Sequence, residues 1–304
     1  MVDKSETGAD IEHDFDEHSE VEQAAQTSEK VQKVLARAGL ASRRAIEEWI
    51  LAGRVRINDR SAHIGDRVEG DDRIFVDGQE VEFELGSEAG RRMVMYHKPE
   101  GEVCTRTDPQ GRPTVFEKLP RLNGERWVVV GRLDINSTGL LLFTTDGDLA
   151  NSLMHPSSQV SREYAVRVFG EVTQEMLDNL KRGVMLEDGP ARFHSIEDAG
   201  GEGLNHWYKV TIKEGKKREV RRMWETQGVQ VSRLIRVRFG DLRLPSNLKC
   251  GRWVELEKEE IDHLADSVGV KLKKRTGLFG RQKVRAERQN EKTLRRGYLR
   301  RRRG

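Results

Sequence analysis

Among 304 residues there are only two cysteines, Cys104 and Cys250, and no CxxC pair. That excludes a disulfide framework and favours a reducing, intracellular compartment, with the cytoplasm as the expected location. No run approaches the roughly 18 apolar residues a membrane helix requires, so no membrane partner is expected. The first residues are acidic and lack an apolar stretch, unlike a signal peptide. Without secretion, the glycosylation match at Asn136-Ser137-Thr138 is accidental. HExxH and Cys/His clusters are missing, and His155, His194 and His206 are scattered, so no metal is expected. A Walker A loop, a GxGxxG strand–helix unit and a GxSxG elbow are missing too. Any catalysis is therefore expected to run on Asp, Tyr and Arg without a cofactor.

Apolar content is also low. Hydrophobic residues make up 36% and charged ones 35%, against typical values of about 45–50% and 25%. The net charge of +3 conceals a gradient. Residues 1–28 hold nine acids and one Lys, a net of −8, whereas 271–304 hold fifteen Lys/Arg and two acids, a net of +13. The body between them is near −2. Both ends lack an apolar period and read as disordered, an acidic leader and a basic tail. Such asymmetry points to a polyanion such as nucleic acid.

The first periodic segment follows Ser28, a plausible N-cap. Val31, Val34, Leu35 and Ala38 fall at helical spacing, and Gly39 can stop the helix. Ser42 can cap a second helix carrying Ala45, Ile46, Trp49 and Ile50, ended by Gly53. Strands are predicted over 54–58 and 73–77, which makes a small unit within 29–86, joined onward by a polar linker at 86–90. From Arg91 strands alternate with helices. Strands are predicted over 92–97, 127–130, 162–169, 206–212 and 229–237; helices are predicted over 148–154, 173–181 and 257–268. Short connections outnumber βαβ spacings, so the second domain, 91–262, should hold a mixed, mainly antiparallel sheet with flanking helices. The fold class is α+β.

Three segments could carry chemistry. In Val130-Gly131-Arg132-Leu133-Asp134-Ile135-Asn136-Ser137-Thr138-Gly139-Leu140, a carboxylate lies in a short polar loop pinned between two apolar runs. A scaffold holds a reactive side chain in this way, although Asp134 could simply cap a turn. Tyr164, on an alternating strand, is either core packing or a ring that stacks on a base and relays a proton. Residues 216–238 hold eight Lys/Arg against two acids. There the cations are interleaved with Val220, Met223, Trp224, Val231, Leu234 and Ile235, so a folded phosphate-binding surface is expected rather than a solvated run.

The segments Gly131–Asp134, Arg162–Val166 and Glu214–Met223, with Tyr96-His97-Lys98-Pro99-Glu100-Gly101 and 108–116 upstream, together resemble the RsuA-type branch of the pseudouridine synthases. The unit near 29–85 resembles an S4 RNA-binding domain. This resemblance implies an isomerase that turns uridine into its C-glycoside with no cofactor. It implies 23S ribosomal RNA or a large-subunit precursor as partner, and a monomer. It assigns Asp134 as the catalytic carboxylate, Tyr164 as the stacking tyrosine and Arg221 as the basic partner of the aspartate. Arg132 would occupy the space left by the flipped base, Leu234 would pack on the uracil, and Lys217, Arg218 and Arg222 would meet substrate. In the S4-like unit, Lys33, Arg37, Arg43, Arg44 and Arg54 would contact RNA. Without the resemblance, a non-catalytic RNA-binding or ribosome-assembly protein would rank first. An RNA hydrolase using Asp134 lacks an obvious partner carboxylate.

Overall fold

A computed structural model describes residues 28–83, 85, 91–122 and 125–270. The expected leader, the 86–90 linker and the basic tail lie outside the described residues. The described chain falls into two compact units, divided near residue 88.

In the first unit, β1 (Glu29–Lys30) leads directly into α1 (Val31–Arg37), and α2 spans Arg43–Leu51. Ser42 caps α2 as expected, its Oγ accepting the Ala45 N–H at 3.1 Å. Ser28 does not cap α1. Residues 29–30 are extended because they pair with β4 (Arg67–Val68), and the Ser28 hydroxyl instead accepts from Arg67 Nε at 2.9 Å. The strands β2 (Val55–Ile57), β3 (Arg60–Ser61), β5 (Ile74–Val76) and β6 (Gln79–Val81) form a four-stranded antiparallel sheet in the order β3-β2-β5-β6. Val31, Leu35, Ile46, Ile50, Val55 and Ile74 form its core. These are the apolar positions whose helical and alternating spacing marked the two helices and two of the strands.

The second unit is built on one nine-stranded sheet. In chain order its strands are β7 (Met93–Lys98), β8 (Val128–Val130), β9 (Thr138–Thr144), β10 (Arg162–Phe169), β13 (Ser195–Glu202), β14 (Asn205–Ile212), β15 (Gln230–Phe239), β16 (Leu242–Arg243) and β17 (Trp253–Glu255). A separate hairpin, β11 (Val184–Leu186) with β12 (Gly189–Ala191), precedes β13. The main path runs β13-β14-β10-β15-β9-β7-β17, with β8 on β9 and β16 on β15. Every pairing is antiparallel except β9 with β15. Helices α3 (Gly147–Met154), α4 (Gln174–Arg182), α5 (Glu219–Glu225) and α6 (Lys258–Asp266) flank the sheet. Asp146 caps α3, Thr173 caps α4, and Glu257 with Glu260 forms a capping box on α6. A buried sheet must cover both faces, and two apolar clusters do so. One is centred on Tyr96, Phe143, Tyr164 and Trp224, the other on Met95, Leu142, Phe239 and Leu264. The α+β class and the mixed, mainly antiparallel sheet are as expected.

Candidate active site

The loop between β8 and β9 is fixed by its own main chain. Every carbonyl from Leu133 to Ser137 has a donor. The Cys104 thiol donates to Leu133 O at 3.3 Å and also accepts the Leu133 N–H at 3.4 Å. Ser137 N–H closes a turn on Asp134 O at 3.0 Å, and Gly101 N–H reaches Ile135 O at 2.8 Å. The Lys98 ammonium donates to Ser137 O at 2.9 Å and to Ile135 O at 3.4 Å. Arg221 Nη2 donates to Asn136 O at 2.9 Å. A loop tethered at five successive carbonyls leaves little freedom to the one carboxylate it carries, Asp134. That carboxylate is half-buried and, among the described residues, has no hydrogen bond or ion pair.

Three cations lie buried in this region: Lys98 at 0% exposure, Arg236 at 2% and Arg221 at 5%. None has a carboxylate within salt-bridge distance among the described residues. Their hydrogen bonds all go to main-chain carbonyls. Burial holds the Lys98 ammonium below the usual lysine range, and nearby Cys104, Glu102 and Asp134 oppose that shift. Burial likewise lowers Arg221, with Arg218 adding to it and Asp134 opposing it. The Asp134 charge therefore favours the charged forms of both neighbours.

The expected direct pairing of Arg221 with Asp134 is not formed. Arg221 lies on α5, whose start fixes its guanidinium along the loop. Nη1 donates to Val231 O at 2.8 Å and Nη2 to Asn136 O, so it reaches Asp134 through the main chain and through its field. Tyr164, on β10, has a ring at 8% exposure inside the main core. Its hydroxyl has no hydrogen-bond partner among the described residues. Arg132 is exposed and, among the described residues, makes no hydrogen bond or ion pair. Leu234 is buried on β15, opposite Val166.

The basic stretch 216–238 does not form the open phosphate face its charge pattern suggests. Arg221 and Arg236 are buried, Arg222 pairs with Asp188 at 2.9 Å, and Arg238 pairs with Glu163 at 3.2 Å. Arg218, in a left-handed conformation at φ +52°, meets Glu225 at 3.4 Å. Lys216 meets Glu214 at 3.2 Å. Lys217 and Arg233 alone are exposed without such a partner among the described residues. Local acids account for the difference, two of them (Glu163 and Asp188) brought in from distant sequence. In the first unit, Lys33 and Arg37 both face Glu29, at 2.9 and 2.6 Å. Arg54 grips Asp77 with both nitrogens and lies 4.8 Å over the Trp49 ring. Arg43 and Arg44 are exposed at the start of α2 with no ion pair among the described residues.

Sequence reasoning passed over three contributors. Lys98 ends the apolar strand Met-Val-Met-Tyr-His-Lys, where a buried cation is the anomaly that could have drawn notice. Gly139 interrupts an otherwise apolar strand, a known sign of close backbone approach. At φ +107°, a Cβ there would lie 2.3 Å from Arg236 O. Arg236 itself was indistinguishable from its exposed neighbours.

An S4-like module followed by a mixed sheet that carries a tethered carboxylate loop fits the class of RNA-directed enzymes. Residues 92–226 match the RNA pseudouridylate synthase family model, and 29–74 match the S4 domain. The chain is 58% identical over 268 residues to ribosomal large subunit pseudouridine synthase B of Pseudomonas aeruginosa, spanning 88% of this chain and 69% of that protein. It is 58% identical over 243 residues to the protein of the same name from Escherichia coli, spanning 79% and 84%. A crystal structure of a pseudouridylate synthase superposes with a TM-score of 0.54 at 25% identity, covering 77% of this chain and 99% of that one. The chain belongs to the RNA pseudouridylate synthase family and is an enzyme of that class.

Proposed function

We propose that this synthase isomerises a uridine in large-subunit ribosomal RNA, with Asp134 as its reactive group. The observation that carries the assignment is the Asp134 loop. Its main chain is tethered at each carbonyl while its carboxylate is left unpartnered beside the fields of Lys98 and Arg221. The relatives' shared name supports the choice of RNA.

The reaction breaks the N1–C1′ bond, turns the uracil and joins C5 to C1′; the C5 proton leaves and N1 regains one. No net oxidation or hydrolysis occurs. One ionised carboxylate suffices, acting either as nucleophile at C1′ or as base at C2′–H. The buried cations Lys98 and Arg221 hold the loop that carries it. The target base must leave its stack, which costs a few kcal/mol. Arg132, exposed and free, is suited to fill the gap, and Tyr164 and Leu234 to receive the uracil. The Tyr164 hydroxyl, without a hydrogen-bond partner among the described residues, can pass on the C5 proton. Lys217 and Arg233, with Arg43 and Arg44 of the S4 domain, have no ion pair among the described residues and are available for phosphate contacts. Arg218 and Arg222 would first have to release their acids, and Lys33, Arg37 and Arg54 likewise. The reading places the enzyme in the cytoplasm. It takes the monomer as the working unit, because Asp134, Tyr164 and Arg221 all come from one unit of one chain.

The test uses large-subunit rRNA transcribed with C5-tritiated uridine. Stoichiometric tritium release at one site, abolished by Asp134→Asn while RNA binding persists, is expected. Binding without release, or free uracil or chain scission, would refute the assignment.

A further inference from the structure

Arg236 occupies a place that neither packing nor phosphate binding explains. Its main chain on β15 lies between Tyr164 on β10 and Gly139 on β9. Its side chain is sealed from solvent, which rules out contact with an RNA phosphate. Nε donates to Leu140 O at 2.7 Å, just beyond the C-terminal end of the Asp134 loop. Nη1 lies 4.0 Å from where a Cβ on Gly131 would stand, at the loop's N-terminal end. The guanidinium carbon sits 5.4 Å from the Phe239 ring centroid, and Nη2 is buried without a partner. No carboxylate pairs with it among the described residues.

An unpaired buried guanidinium carries a large desolvation cost, and an apolar side chain of similar volume would fill the space more cheaply. A charge retained at such a cost, bonded to one end of the loop, lying close to the other and paired through its main chain to the Tyr164 strand, points beyond stability. We infer that Arg236 is a positioning residue for the isomerisation. It fixes the distance between the Asp134 loop and the Tyr164 strand by holding Leu140 through Nε and lying against the Gly131 end of the loop. It acts on the reaction only through these neighbours and touches no reacting atom. The inference rests on the functional reading above, in that Asp134 and Tyr164 must act on one uridine.

The experiment compares wild type with Arg236→Met, Arg236→Lys and Arg236→Ala. Each is assayed by single-turnover tritium release and by RNA affinity, with thermal unfolding as a check of folding. A displacement of about 1 Å in a reacting group costs on the order of 100-fold in rate. Arg236→Met is expected to lose about that factor in rate with RNA affinity unchanged. Arg236→Lys, which keeps the charge and reaches one carbonyl but not both ends, should fall between. Guanidinium ion at constant ionic strength should restore rate to Arg236→Ala, which a purely structural role would not allow. If the Met and Ala variants fail to fold, Arg236→Lys decides the matter: a rate equal to wild type overturns the inference. So does a folded Arg236→Met with wild-type rate, or no rescue of a folded Arg236→Ala. Should wild type itself release no tritium, the functional reading falls and this inference with it.

Discussion

Replacing Glu219 by Gln should change stability in a manner set by pH. Glu219 opens α5 at 3% exposure. One oxygen accepts the Lys216 N–H at 3.1 Å, and the other is buried without a partner. Burial pushes this carboxyl up from 4.5 to about 7, and Glu214 adds to the shift. The Lys216 N–H and the charges of Lys216 and Arg162 oppose it, and Arg222 also lies close enough to feel the carboxylate. In the unfolded chain the group releases its proton near 4.5, whereas the folded protein keeps it until about 7. Stability therefore falls as pH rises through that window, and the loss is complete above it. A difference of about 2.5 units at 1.36 kcal/mol each gives roughly 3 kcal/mol. Gln keeps an acceptor for Lys216 but cannot ionise. Its amide protons face the unpartnered side, which costs stability at every pH, so the slope is the diagnostic quantity. Urea unfolding at pH 5, 6, 7 and 8, followed by fluorescence of buried Trp224 on the same helix, should show the variant gaining on wild type by about 2–3 kcal/mol from pH 5 to 8. A difference that stays flat across that range would refute the reasoning.

Gly139→Ala should lower stability by about 3 kcal/mol or more, because φ +107° and a Cβ 2.3 Å from Arg236 O must both be relieved by parting β9 from β15. Thermal unfolding and tritium release should fall together, and a wild-type melting temperature would contradict this. Arg221→Ala should lose turnover far more than RNA affinity, since its donors serve Val231 O and Asn136 O and its burial keeps it from phosphate. Weakened binding at an unchanged rate would be the opposite result. Deleting residues 271–304, with their fifteen Lys/Arg, should weaken RNA binding and flatten its dependence on salt while the single-turnover rate holds. An unchanged salt slope would exclude the tail from phosphate contact.

Most of the fold could be read from local pattern, because period and capping are local properties. Ser42, Thr173 and Glu257 each stand at the start of a helix the spacing predicts, and the alternation of Tyr164, Val166 and Val168 reappears as inward-facing residues of β10. The strand β13 escaped notice because it is almost wholly exposed at the sheet edge and carries two acids followed by two glycines, Glu197-Asp198-Ala199-Gly200-Gly201. The short helix α5 was hidden among basic residues. For the site, Asp134 and its loop stood out because Gly, polar and apolar runs follow one another within a dozen residues. What surrounds that loop did not, since Lys98, Cys104 and Arg236 lie 36, 30 and 102 positions away and meet it only in the folded chain. Charge counting erred for the same reason: the acids that engage Arg222 and Arg238 are equally remote.

The pairing of β7 with β17 and of β9 with β15 has a temporal side. Tyr96 meets Trp253 and Thr138 meets Ile235, so the sheet closes only on residues made late in synthesis. The S4 unit, whose helices and strands pair among near neighbours, can form as soon as it emerges, whereas contacts of such long sequence separation form slowly. A nascent chain thus acquires its RNA-binding module well before a competent active site. Asp134 and Tyr164 are both translated before Arg221 and Arg236, and until those arrive the loop has neither its tether at Asn136 nor its brace at Leu140. Reactivity is in this way deferred to the finished polypeptide, and a ribosome-bound fragment could dock on RNA but could not modify it.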